Sequence, residues 1–147
     1  MSVAIDANIL LYASDDDSPR QPAARALLGE LAAGPDLVYV FWPVVMAYLR
    51  IATHRSIFAR PLDPVTARAN VDGLVRRPHV RCPGESDGFW ALFESTVAPD
   101  VVRGNLVTDA HIATLMRQHG VSSIWTADRD FRRFPGISTR DPYTETA

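Results

Sequence analysis

Short apolar runs alternate with helical patterns along the chain, and several of the runs end on a carboxylate. Val3 to Ile5 is apolar and is followed by Asp6-Ala7-Asn8, the pattern of a buried strand feeding a loop. Leu37 to Phe41, His79 to Cys82 and Ser123 to Thr126 read as further short strands, and Gly136 to Thr139 as a fifth. Between them lie helices. Ala24, Leu27, Leu28 and Leu31 keep helical spacing until Gly34-Pro35 stops them. Pro43 suits the first turn of a helix reaching His54, and Asp63-Pro64 supplies an N-cap and first helical residue for one reaching Val75. Ser86 opens a helix carrying Phe89, Trp90, Leu92 and Phe93, which ends before Pro99. Val107 to His119 is amphipathic and stops at Gly120. Asp15 to Pro22 is an acidic, proline-containing loop. Strands alternating with helices imply an α/β fold, a parallel sheet covered on both faces in three α/β/α layers. The 147 residues, without repeat or linker, read as one domain spanning 1–147.

Such sheets bind ligands at the carboxyl ends of the strands, near the point where strand order reverses. Asp6 follows the first strand, Asp128 and Asp130 follow the fourth, and Asp109 begins the helix between. If the first and fourth strands are neighbours, their acids face one crevice. Clustered carboxylates repel by about 3 kcal/mol per ionised pair at about 5 Å and an effective dielectric near 20. A pocket of three or four acids therefore needs a cation. Oxygen ligands without histidine or cysteine favour Mg²⁺ or Mn²⁺, which clamp phosphates and activate water. Each acid also has a plainer use. Asp6 can end a strand in a turn, Asp109 can answer a helix dipole, and Asp128 and Asp130 can form a turn before Phe131. Asn8 can be an Asx-turn residue, Thr126 a strand hydroxyl, and Asp15, Asp16 and Asp17 a solvated loop.

Composition removes other chemistries. All 15 basic residues are arginine, so a phosphate-loop lysine, a Schiff base and a Ser-Lys pair are absent. Cys82 is the lone cysteine, which excludes an internal disulfide and cysteine-based zinc sites. His54, His79, His111 and His119 lack the HxH or HxxxH spacing of metal ligands. Net charge is −2, so any nucleic-acid surface must be a local arginine rim. No apolar run approaches the roughly 20 residues of a membrane span, and the N-terminus lacks a basic-then-apolar secretory pattern. A cytoplasmic setting is the simplest expectation. A receiver domain or phosphohydrolase using Asp6 is disfavoured, by the missing lysine and by Asn8 where a second aspartate is expected.

Four segments carry a resemblance: DANILLYA at 6–13, WPVVMAYLRIATH at 42–54, GNLVTDAHIA at 104–113 and TADRDFRRFPG at 126–136. With their order and spacing the chain resembles the PIN-domain ribonucleases, and closely the VapC toxins of bacterial toxin–antitoxin pairs. The resemblance implies a twisted parallel sheet of order 3-2-1-4-5. It implies a Mg²⁺- or Mn²⁺-dependent endoribonuclease that cuts structured RNA, transfer or ribosomal, leaving a 5′-phosphate and a 3′-hydroxyl. Carried over, the metal-binding acids are Asp6, Asp109 and Asp128, with Asp130 as a further catalytic acid and Asn8 and Thr126 as orienting residues. Arg50 stands near a departure. At Ala47 the family typically has glutamate, and alanine cannot ligate metal. Either the natural site is degenerate, or the glutamate was replaced because an active toxin poisons its host. The intact remaining motifs favour replacement. Weak metal binding and low nuclease activity follow from either. The resemblance further implies a VapB-type antitoxin that contacts promoter DNA on the toxin's behalf, and a homodimer. Apolar helix surfaces around Trp42 to Leu49 and Phe89 to Phe93 are available for such contacts. Arg103, Arg129, Arg132 and Arg133 lie near motif acids and are the expected RNA contacts. A non-catalytic PIN module that binds RNA or antitoxin is the competing expectation.

Overall fold

The computed structural model describes residues 1–144. Five strands, β1 (Ser2–Ile5), β2 (Leu37–Tyr39), β3 (Val80–Arg81), β4 (Ser123–Trp125) and β5 (Ser138–Arg140), form one sheet. Its order is β3-β2-β1-β4-β5 and all four pairings are parallel. The strands are short because each is an apolar run just long enough to cross the core. Val3, Ala4 and Ile5 are buried, as are Val38, Val80 and Ile124.

Six helices connect them: α1 (Ala7–Ala13), α2 (Gln21–Ala33), α3 (Trp42–Ala52), α4 (Pro64–Val75), α5 (Phe89–Val97) and α6 (Leu106–Gln118). As the spacing requires, Asp63 caps α4 by accepting from the Val65 amide at 3.1 Å, with Pro64 at the first helical position. Two expectations shift. The stretch after the first strand is α1, not a loop: Asp6 accepts from the Ala7 amide at 2.8 Å and starts the helix without an intervening linker. The helix expected from Ser86 begins at Phe89. Gly88 adopts φ 83°, and the Ser86 amide instead donates to Gln118 Oε1 of α6 at 3.1 Å.

The main core lies between sheet and helices around Phe41, Tyr48, Leu115 and Ile124. A smaller cluster, Ala110, Ala113 and Phe134, sits under α5 and α6. The small α6 residues leave room for the Phe134 ring. The segment after β4 is a short 3₁₀ helix, η1 (Arg129–Arg133). Phe131, fully buried, anchors it in the main core, and Phe134, 2% exposed, anchors its end in the smaller one. In the sequence Asp128-Arg129-Asp130-Phe131, the aromatic ring thus fixes where the two acids stand. No described helix is long and apolar enough to cross a membrane.

Candidate metal centre

The parallel register places Ile5 opposite Trp125, so β1 and β4 end side by side. Chain order runs outward from β1 through β2 to β3, then returns to the other side of β1 at β4. The β1–β4 boundary is the switch point, and Asp6 and Asp128 both leave the sheet there. The ladder extends one step further, with the Asp6 amide donating to the Trp125 carbonyl at 3.0 Å.

Asp6 is 9% exposed and tightly held. One oxygen accepts from the Ala7 amide; the other accepts from Thr126 Oγ1 at 2.8 Å and Asn8 Nδ2 at 3.0 Å. Asn8 also donates to Thr126 Oγ1 at 3.1 Å and accepts from the Ala127 amide at 3.3 Å. The Asp128 amide donates to the same threonine hydroxyl at 2.9 Å. Thr126, 1% exposed, is therefore the junction that ties the end of β1 to the end of β4. Burial pushes the Asp6 carboxyl above its ordinary range, while the Thr126 and Ala7 donors pull it back and Asp128 adds to the rise.

Asp128 caps η1, its Oδ1 accepting from the Asp130 amide at 2.9 Å. Asp109 lies in the first turn of α6 and is 8% exposed. One carboxylate oxygen from each of Asp109, Asp128 and Asp130 lies within 4.8 Å of the others. Desolvation first, then the Asp128 charge and hydrogen bond, then Asp6 and Asp130, push the Asp109 carboxyl up to about 8. Without a counter-charge, Asp109 keeps its proton at neutral pH. Hard oxygen donors from two elements, Asp109 on α6 and Asp128 and Asp130 at the start of η1, fit a divalent cation such as Mg²⁺ or Mn²⁺. The closest trio is thus Asp109, Asp128 and Asp130. Asp6 is the fourth acid of the site, held by hydrogen bonds from Ala7, Asn8 and Thr126, and its charge acts on Asp109.

The other sequence candidates separate into groups. Ala47 is half-buried on α3 and packs against the main core. Arg50 is exposed in the last turn of α3. Arg103 is exposed in the loop before α6. Arg133 reaches Asp100 at 3.4 Å and Asp130 at 3.6 Å, so it braces η1. Arg129 and Arg132 line a pocket of about 480 Å³ that also contains Asp128. Arg140, which sequence reasoning passed over, shares that pocket. The four histidines have structural partners: His79 with the Leu31 carbonyl, His119 with the Gly84 carbonyl, His111 with Glu85, and His54 with the Ser56 amide.

Comparison with known proteins agrees with this architecture. The PIN domain profile matches residues 3–137. Ribonuclease VapC48 of Mycobacterium tuberculosis (strain ATCC 25618 / H37Rv) is 45% identical over 144 residues, covering 98% of this chain and 99% of that protein. Among solved structures, VapBC2 from Rickettsia felis, bound to a promoter DNA fragment, superposes with a TM-score of 0.69 at 14% identity, covering 96% of this chain and 98% of that one. Mycobacterium tuberculosis VapC20, described as a Sarcin-Ricin loop cleaving toxin, gives 0.63 at 18% identity, covering 92% and 98%. The fold and family match define a PIN-domain protein, and this chain belongs to that family, in its VapC group.

Proposed function

We propose that this protein is a divalent-metal-dependent endoribonuclease, the toxin of a VapBC-type pair, cutting structured RNA. The convergence of Asp109, Asp128 and Asp130 oxygens within 4.8 Å carries this reading. A protein that merely bound RNA would gain nothing from crowding a buried, a half-buried and an exposed acid together. Asp109, Asp128 and Asp130, together with Asp6, would hold the ion. When bound, Mg²⁺ or Mn²⁺ neutralises the acids, activates water and stabilises a leaving oxygen.

The chain's own residues supply the rest. Thr126 and Asn8 orient Asp6 through one hydrogen bond each, and a third between the two of them keeps the strand ends at fixed separation. Phe131 and Phe134 hold η1, so Asp128 and Asp130 present their oxygens without rearrangement. The Asp109 proton must leave before the cluster takes a cation.

The partner of this reading is a VapB-type antitoxin, through which promoter DNA would be contacted. Exposed Trp42 and Met46, one turn apart on α3, and Trp90 on α5 offer apolar surface for a homodimer or the antitoxin. Ala47 stands where the family's glutamate is expected, and we infer that it impairs this form of the enzyme. Ala47→Glu is expected to raise Mg²⁺-dependent RNA cleavage by at least about tenfold. No gain over the present chain counts against a ligand position at 47. In that background Asp128→Asn should lower cleavage by at least about a hundredfold, since even supporting residues of metal sites are worth about 10–100-fold. Unchanged cleavage would move the chemistry elsewhere.

A further inference from the structure

The pocket beside the acids has the opposite chemistry. It opens at the carboxyl ends of β4 and β5 and has a volume of about 480 Å³, within the range that seats a nucleotide-sized ligand. Arg129 and Arg132 enter it from η1, and Thr139 and Arg140 from β5. Among the described residues, none of these three arginines forms an ion pair, whereas Arg25, Arg60, Arg76 and Arg133 each do. Two of the three are held in place by neutral neighbours. Arg132 donates through Nε to Thr139 Oγ1 at 3.1 Å, which leaves its terminal nitrogens available. The Arg140 guanidinium lies over the Trp125 ring, 5.6 Å from its centroid. Of the two acids in the lining, Asp141 caps its own turn by accepting from the Tyr143 amide at 2.8 Å, and Asp128 belongs to the acidic trio. The far wall is the segment after β5. It is held by Arg20, whose guanidinium lies 5.1 Å from the Tyr12 ring centroid and 5.0 Å from that of Tyr143.

Three guanidiniums gathered without carboxylate partners among the described residues call for an anion, and their forked donors match a phosphate. Asp128 borders both the acidic cluster and this pocket, so a phosphate here sits next to a bond under attack at the acids. We propose that the pocket is a substrate subsite that seats the nucleotide adjacent to the scissile phosphate. Its phosphate lies on Arg129, Arg132 and Arg140, and Arg140 on its Trp125 platform offers a flat face to the base. This subsite rests on the ribonuclease reading and adds to it the direction in which the strand leaves the acids: across η1 toward β5, not toward Arg103 or Arg133.

The test is binding of a fluorescently labelled single-stranded RNA to the full chain by anisotropy, in Ca²⁺, over a series of salt concentrations. Arg132→Gln and Arg140→Gln are each expected to weaken binding about three- to tenfold and to lower the slope of log affinity against log salt by about 0.7, the loss of one phosphate contact on a single strand. Arg76→Gln, paired with Asp72 on α4, is expected to leave both unchanged. Because Arg140 also packs on Trp125, the exposed Arg132 variant separates lost contact from lost structure. If the unaltered chain binds RNA and Arg132→Gln binds it with the same affinity and slope, the subsite is overturned while the ribonuclease reading stands. If the unaltered chain binds no RNA, the subsite is overturned, and the ribonuclease reading is decided by the Ala47→Glu cleavage assay.

Discussion

Two neighbouring sites share Asp128 and were built by different means. The acidic cluster is made of residues whose positions the backbone fixes: the residue after β1, the residues after β4, and the first turn of α6. The arginine pocket is made of long side chains that meet only because η1 folds back over β5. Charge follows the same division. Asp6 and Asp109 are buried and Asp128 half-buried, while Arg129, Arg132 and Arg140 are exposed. Rigid placement suits ligation of an ion; long, solvated arms suit a backbone that slides past. Under the proposed function, chemistry would fall to the rigid part and substrate grip to the adaptable one.

Several substitutions can break or sharpen this contrast. Phe131→Ala removes the anchor that both sites share. It should cost about 3–5 kcal/mol of stability, read by urea unfolding. A loss near zero would mean that η1 is positioned by something other than its buried ring. Thr126→Val keeps shape but removes the hydroxyl that joins Asp6 to the Asp128 amide. Metal affinity should fall about 10–100-fold. An unchanged affinity would mean that Asp6 is oriented by something other than this hydroxyl.

Asp109 gives a pH test. Its carboxyl lies near 3.8 when unfolded and about 8 when folded, so the folded state binds the proton more tightly. Its contribution to stability is full below about pH 4 and is lost as pH rises through about 8. In chelator, the melting temperature should therefore decline between about pH 4 and pH 8, and Asp109→Asn should flatten that decline. An equally steep decline in the variant would place the responsible group elsewhere. Arg133→Ala is the smallest expected change. Its pairs with Asp100 and Asp130 are exposed, and their loss should shift stability by no more than about 1 kcal/mol.

The difference between the sites also explains what could be read in the sequence. Acids after apolar runs are visible because strand ends and helix starts leave local marks. The switch point then follows from strand order, and Asp6 and Asp128 fall on either side of it. Helix α1 was not legible. Asp6 caps it directly after Ile5, so Ile9 and Leu10, both buried, continue an apolar run with no break between strand and helix. The start of α5 was misplaced because Ser86 looks like a cap locally but is engaged by Gln118, 32 residues away. Asp130 was named as a catalytic acid but not as a metal ligand. Its place in the trio depends on η1, a single 3₁₀ turn whose pattern is that of an ordinary loop. Arg140 lines the pocket from β5 and Arg133 is paired with Asp100 and Asp130, and neither fact is marked in the local sequence. Proximity in sequence to motif acids does not tell which arginines an exposed carboxylate has already taken.

Cleavage assays on this chain depend on what stands at position 47, so the most direct measurement is metal binding itself. Titration calorimetry of Mn²⁺ into the chain near pH 7, repeated in buffers of different ionisation enthalpy, reads affinity and proton release together. The expected result is saturable, weak binding that releases close to one proton, since Asp109 enters protonated, and that is lost in Asp109→Asn. Binding that releases no proton and survives Asp109→Asn, or no saturable binding at all, would contradict a metal centre at Asp109, Asp128 and Asp130.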